Sequence, residues 1–192
     1  MLSVKVMVLC FVALGMISAG AARAANPVVV IETSLGTIKV ELYEDKAPVT
    51  VKNFLAYVDD KHYDGLVFHR VIEGFMVQGG GMEPGGKPRR TQDPIKNEAA
   101  NGLSNIRGTI AMARTPEADS ATSQFYINTV DNTMLDKKEE GIGYCVFGRV
   151  IEGMDVVDKI EKVEKKPVPR GKPSEPKADV VIKSVRRAEA KK

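Results

Sequence analysis

FHRVIEGFMVQGG, residues Phe68 to Gly80, is the stretch that decides the fold. Val67 to Ile72 and Met76 to Gln78 read as two short β-strands around a turn at Glu73-Gly74. Period-two alternation predicts Phe68, Arg70 and Ile72 on one face of the first strand, with His69 on the other. Beyond the turn, Met76 and Gln78 share a face. A guanidinium, an amide and several apolar side chains on one surface have the make-up of a shallow ligand pocket. Gly79-Gly80-Gly81 lacks the Lys-Ser/Thr of a phosphate loop and no helix follows it, so it reads as a tight turn.

Strands and turns continue on both sides. Upstream, Val28 to Ile31 and Thr37 to Leu42 form a predicted hairpin across Ser34-Leu35-Gly36, with Ile38, Val40 and Leu42 alternating with Lys39 and Glu41. A helix follows from Pro48, where the missing N–H costs nothing, with Val51, Phe54, Leu55 and Val58 at helical spacing. Downstream, residues 79–107 form a long stretch rich in Gly, Pro and charge, a length that points to function. Strands are expected again at Thr109 to Ala113, Gln124 to Asn128, Tyr144 to Val150 and Asp179 to Val185, with a second helix near Met154 to Ile160. Between them, Glu164 to Lys177 carries four prolines and is expected to run extended, in a polyproline-like loop. Many short strands, two helices and no βαβ alternation argue for a β-barrel closed by helices.

The 192 residues suffice for one domain with a substantial core, and 43% apolar and 28% charged residues are ordinary for a globular protein. A net charge of +3, mixed along the chain, gives no case for nucleic-acid or membrane-surface binding. The N-terminus stands apart. Lys5 precedes an apolar run from Val6 to Ala22, and Ala22-Arg23-Ala24 supplies a small-x-small cleavage site. This predicts a secretory signal peptide over residues 1–24, a domain over 25–188 and a frayed tail over 189–192. Cleavage would leave a nearly neutral chain with one cysteine, Cys145, hence no internal disulfide and no stable membrane insertion. Cys145 lies in an apolar run and is expected to be a buried, unreactive thiol.

Two further blocks accompany the first: GTIAMAR, Gly108 to Arg114, and SQFYI, Ser123 to Ile127, the latter followed by Met134-Leu135-Asp136 and YCVFGRV, Tyr144 to Val150. In order and spacing, with DSATSQF (Asp119 to Phe125) and PIKNEA (Pro94 to Ala99), they resemble the cyclophilin-type peptidyl-prolyl cis–trans isomerases, most closely those of the bacterial periplasm. The resemblance covers about Val28 to Val185. It implies a mainly β fold, a closed eight-stranded antiparallel barrel capped by two α-helices, and isomerisation of peptide bonds before proline without cofactor or metal. It implies that Arg70 is catalytic and that Phe75, Met76, Tyr126 and Leu135 form the proline pocket. Gln78 matches the position that orders the arginine and contacts the substrate backbone, and Arg114 matches a backbone anchor. Ala113, Gln124, Met134 and Tyr144 complete the implied substrate-binding set.

The sequence departs from familiar members of that family at three positions. Met134 stands where eukaryotic members carry the Trp that serves cyclosporin binding, so weak cyclosporin sensitivity is expected. Tyr144 stands where many carry His, and Tyr126 replaces a common Phe, adding a hydroxyl that needs a partner. Phe125, on the opposite face from Gln124 and Tyr126, is expected in the core, and the two histidines, His62 and His69, are assigned structural roles. The expected partners are proline-containing polypeptides, chiefly unfolded exported proteins met by a monomer in the periplasm. The competing reading is a proline-segment-binding chaperone or scaffold in which turnover is incidental, with the charged loop Met82 to Arg90 and the basic loop near Lys172 as its surface.

Overall fold

A computed structural model describes residues 25–167, 169–171 and 174–189. The proposed signal peptide, Lys172 and the last three residues of the tail lie outside the described residues. Among the described residues there are eight strands: β1 Val28–Thr33, β2 Gly36–Leu42, β3 Arg70–Ile72, β4 Met76–Gly79, β5 Thr109–Met112, β6 Phe125–Asn128, β7 Val146–Glu152 and β8 Ile182–Arg187. Helix α1 is Pro48–Asp59 and α2 is Met154–Glu161. All neighbouring strands are antiparallel, in the order β3-β4-β6-β5-β7-β2-β1-β8.

The fold is mainly β, as expected, but its strand ladder is open where a closed barrel was expected. No ladder joins β3 to β8 among the described residues. The seam is bridged by single bonds instead: Phe68 N–H to Val180 O at 3.0 Å, Ile182 N–H to Leu66 O at 2.7 Å, and Gly65 N–H to Ile182 O at 2.8 Å. The segment ahead of β3 is irregular and meets its partner through an isolated bridge at Val67 and Val181, so pairing there never becomes a ladder. That irregularity also corrects a facing assignment. Phe68 lies in the main core with Val71, not beside Arg70, because alternation does not carry across residues outside the strand.

The sheet has two apolar faces. The inner face holds the main core, in which Phe54 of α1 packs on Tyr63 and Phe147 with ring centroids 5.2 Å apart and meets Phe125 edge-on at 5.7 Å. Val156, Val157 and Ile160 of α2 join it. Cys145 is buried there, and burial raises its thiol pKa to about 11, as an inert cysteine requires. The second face holds a smaller cluster of Met76, Ala111, Tyr126 and Val146, with Phe75, Leu135 and Tyr144 packed against it. Along β6, Phe125 and Ile127 turn to the main core while Tyr126 turns to the second face, as period two dictates.

Long connections brace the sheet more than their sequence suggests. Ala47 offers no side-chain cap to α1. Glu98 does so from across the fold, accepting the Val49 N–H at 3.1 Å and the Thr50 N–H at 2.8 Å. Arg89 donates to the His62 and Asp64 carbonyls, and the Gln92 N–H reaches Tyr57 Oη. Much of the 79–107 stretch is therefore scaffold. The expected polyproline-like loop doubles back on itself: Lys166 N–H bonds Glu175 O and Lys177 N–H bonds Glu164 O, each at 2.8 Å. The donors, Lys166 and Lys177, flank the four prolines, which have no N–H to give.

Candidate active site

Strand register builds the site. Arg70 on β3 lies directly opposite Gln78 on β4, and Gln78 opposite Tyr126 on β6. Tyr126 in turn faces Ala111 on β5. Arg70, Gln78 and Tyr126 thus form a row across three strands on one face. Arg70 Nη1 donates to Gln78 Oε1 at 3.2 Å, and Gln78 Nε2 donates to Gln124 Oε1 at 2.9 Å. The chain of amides fixes which end of Gln78 faces the guanidinium. Gly81 makes room for it: a Cβ there would lie 2.4 Å from Gln124 Cγ.

Arg70, Phe75, Met76, Gln78, Ala113, Arg114, Tyr126, Leu135 and Tyr144 line one cavity of about 180 Å³. That volume suits a five-membered ring with its flanking backbone. Tyr126 forms the floor, and burial pushes its phenol pKa far above the usual value, so it stays neutral. Tyr144 meets Tyr126 nearly perpendicular, at 6.0 Å. The Arg114 guanidinium carbon sits 4.2 Å from the Tyr144 ring centroid, and its Nε donates to Gly143 O at 3.0 Å. The Arg114 side chain is therefore wall, and its backbone N–H and C=O make no hydrogen bond among the described residues.

Nine residues named from the sequence meet in this cavity, and two do not. Gln124 lines a neighbouring cavity of about 170 Å³, together with Gln78, Ala113, Arg114, Thr115, Ser120 and Thr122. Met134 is 66% exposed, and Leu135 rather than Met134 reaches the cavity. The short 3₁₀ turn Thr133–Leu135 separates them. Thr115, Ser120 and Thr122 were not singled out in the sequence, and their small polar side chains carry no distinguishing pattern. His69, partly buried, has its pKa lowered by that burial, and it lines a third cavity with Met82 and Asp179.

A curled antiparallel sheet with a cationic group at the edge of an apolar cavity defines a binding site for an uncharged, ring-sized peptide element. Residues 28–187 match the family described as cyclophilin type peptidyl-prolyl cis-trans isomerase, and the chain belongs to that family. It is 55% identical over 152 residues to a peptidyl-prolyl cis-trans isomerase of Acinetobacter baylyi, covering 79% of this chain and 81% of that one. It is 57% identical over 136 residues to peptidyl-prolyl cis-trans isomerase A of Dickeya dadantii, covering 71% and 72%. Isomerase B of Escherichia coli is 54% identical over 164 residues, covering 82% of this chain and 97% of its own. Among solved structures, a Cryptosporidium parvum cyclophilin type isomerase superposes with a TM-score of 0.72 at 25% identity, covering 86% of this chain and 99% of its own. The same protein has been solved in the presence of the dipeptide Ala-Pro. The chain is accordingly an enzyme that isomerises peptide bonds preceding proline.

Proposed function

We propose that Arg70 catalyses the rotation and that the cavity floored by Tyr126 holds the proline ring. Amide resonance sets a barrier of about 18–20 kcal/mol. At the twisted midpoint that resonance is lost, and the prolyl nitrogen gains a lone pair able to accept a hydrogen bond. A guanidinium aimed at that nitrogen binds the twisted state better than the planar one, which is what lowers a barrier. Raising a rate from about 0.01 to about 1,000 per second takes about 7 kcal/mol. A charge-assisted hydrogen bond together with positioning is sufficient for that. No nucleophile or proton transfer takes part.

The observation that carries this reading is the position of Arg70. One nitrogen is held by Gln78 at the rim of the cavity, and its Nε–H and Nη2 make no hydrogen bond among the described residues. The relative solved with Ala-Pro supports a proline-containing peptide as the ligand. An isomerisation assay comparing the wild type with Arg70→Ala tests the assignment. A large fall in kcat supports it, and equal rates overturn it.

The cellular role follows from the N-terminus. Lys5, the apolar run and Ala22-Arg23-Ala24 support export to the periplasm with cleavage after Ala24, where unfolded exported proteins supply the substrates. Cell fractionation and N-terminal sequencing check this: a cytoplasmic protein that still begins at residue 1 contradicts it.

A further inference from the structure

Behind the cavity floor lies a network of buried amides. Asn105, Asn128 and Asn132 are all essentially inaccessible to solvent. Most buried polar groups are hydrogen-bonded, and a satisfied network fixes the side chains it joins. The Asn105 side-chain nitrogen donates to Asp136 Oδ1 at 2.9 Å and to Tyr144 O at 3.4 Å. Both partners only accept, so the orientation of this amide is determined: its oxygen must face Tyr126. Tyr126 Oη lies 2.7 Å from that oxygen and must donate to it. Asn128 donates to the same oxygen at 3.3 Å.

The network then reaches the cavity walls. Asp136 also accepts the Asn105 backbone N–H at 2.7 Å and a short bond from the Ser104 hydroxyl. Asp136 follows Leu135 directly, so this carboxylate holds the turn that carries one wall. On the other side, Asn132 donates to Asn128 Oδ1 at 2.7 Å and to the Phe75 carbonyl at 2.8 Å. Floor and both walls are thus tied to one another through Asn105.

On the reading that this cavity holds the proline, we infer that Asn105 is a positioning residue: it takes the Tyr126 proton away from the cavity and locks Tyr126, Leu135, Tyr144 and Phe75 into one preformed proline seat. Two consequences follow. The floor presents ring carbon and no free donor, so nothing there hydrogen-bonds the carbonyl that must swing. The proline ring also stays put during rotation, so its contacts are alike in the ground and twisted states. Loosening the seat therefore weakens binding uniformly, which raises KM and spares kcat. Arg70 acts on the twisted state alone and shows the opposite split.

The test measures KM and kcat for a proline tetrapeptide in Tyr126→Phe, Asn105→Ala and the double variant, with Arg70→Ala alongside. Tyr126→Phe is expected to raise KM about three- to ten-fold, the loss of one buried hydrogen bond. Asn105→Ala, which also cuts the bonds to Asp136, Asn128 and the Tyr144 carbonyl, should raise it at least as much, with kcat within about two-fold in each. The double variant should be no worse than Asn105→Ala alone, since the one bond of the Tyr126 hydroxyl is already lost there. A wild-type KM in Tyr126→Phe, a fall confined to kcat, or KM effects that multiply would each overturn the inference. Tyr126→Phe keeps the ring and removes only the donor, so it decides the matter alone if Asn105→Ala fails to fold. Failure of the site reading itself shows separately, as an Arg70→Ala enzyme with undiminished kcat.

Discussion

Arg70 and Gln78 face each other across β3 and β4, and Gln78 Oε1 accepts a hydrogen bond from the guanidinium at 3.2 Å. Gln78 is itself held by Gln124 at 2.9 Å, so the arginine is aimed by two amides, one on β4 and one just ahead of β6. Gln78→Leu keeps the volume and removes the bond. We expect kcat to fall about five- to fifty-fold, roughly 1–2 kcal/mol of lost orientation, with melting temperature little changed. Exchange measurements on a proline peptide read this directly. An unchanged kcat would show that packing alone aims Arg70. Arg70→Lys should not restore the rate, because an ammonium lacks the planar fork.

The start of α1 depends on a residue far away in sequence. Glu98 accepts both the Val49 and Thr50 N–H groups and the Thr50 hydroxyl at 2.7 Å. Glu98→Ala should destabilise the fold by about 1–2 kcal/mol, in the range of a lost helix cap. The urea midpoint should drop with the slope unchanged. A midpoint equal to wild type would show that water replaces the carboxylate without cost.

Acid should weaken the seam. Asp64 meets Arg186 of β8, and that partner lowers its pKa below the ordinary 3.8. A carboxylate depressed by folding contributes stability that is present above its unfolded pKa and is lost as pH falls through the folded value. Denaturant midpoints should therefore be flat above the ordinary carboxylate range and decline below it. Asp64→Asn should flatten part of that decline. The pair is largely solvated, so the contribution is modest and shrinks in salt. An identical acid limb in Asp64→Asn would remove Asp64 from the account.

Cyclosporin should bind weakly. Met134 is exposed and offers no indole N–H or flat ring where a Trp would stand. Calorimetric titration of the wild type should show weak binding, and Met134→Trp should tighten it. Tight binding by the wild type contradicts the expectation.

Local pattern made much of this protein legible. Period two along Gln124 to Ile127 correctly sent Phe125 to the core and Tyr126 to the site, because alternation holds wherever a strand is regular. The same rule misplaced Phe68, where the backbone leaves strand geometry just before Arg70. The helical spacing of Val51, Phe54, Leu55 and Val58 found the buried face of α1 but not its cap, since Glu98 carries no local mark of the helix it serves. Asn105 carries no local pattern that marks it within the 79–107 stretch.

The residue order by itself determined the strands and the two helices, because periodicity and turn chemistry act over a few neighbours, and the resemblance of its blocks to the family pointed to the nine residues that meet in one cavity. Only the tertiary structure decided that the ladder stays open between β3 and β8, that Met134 stands outside the cavity lining, and that three buried asparagines tie its floor to its walls. These features depend on which distant backbone groups come within hydrogen-bond reach, and such distances exist only once the chain is folded.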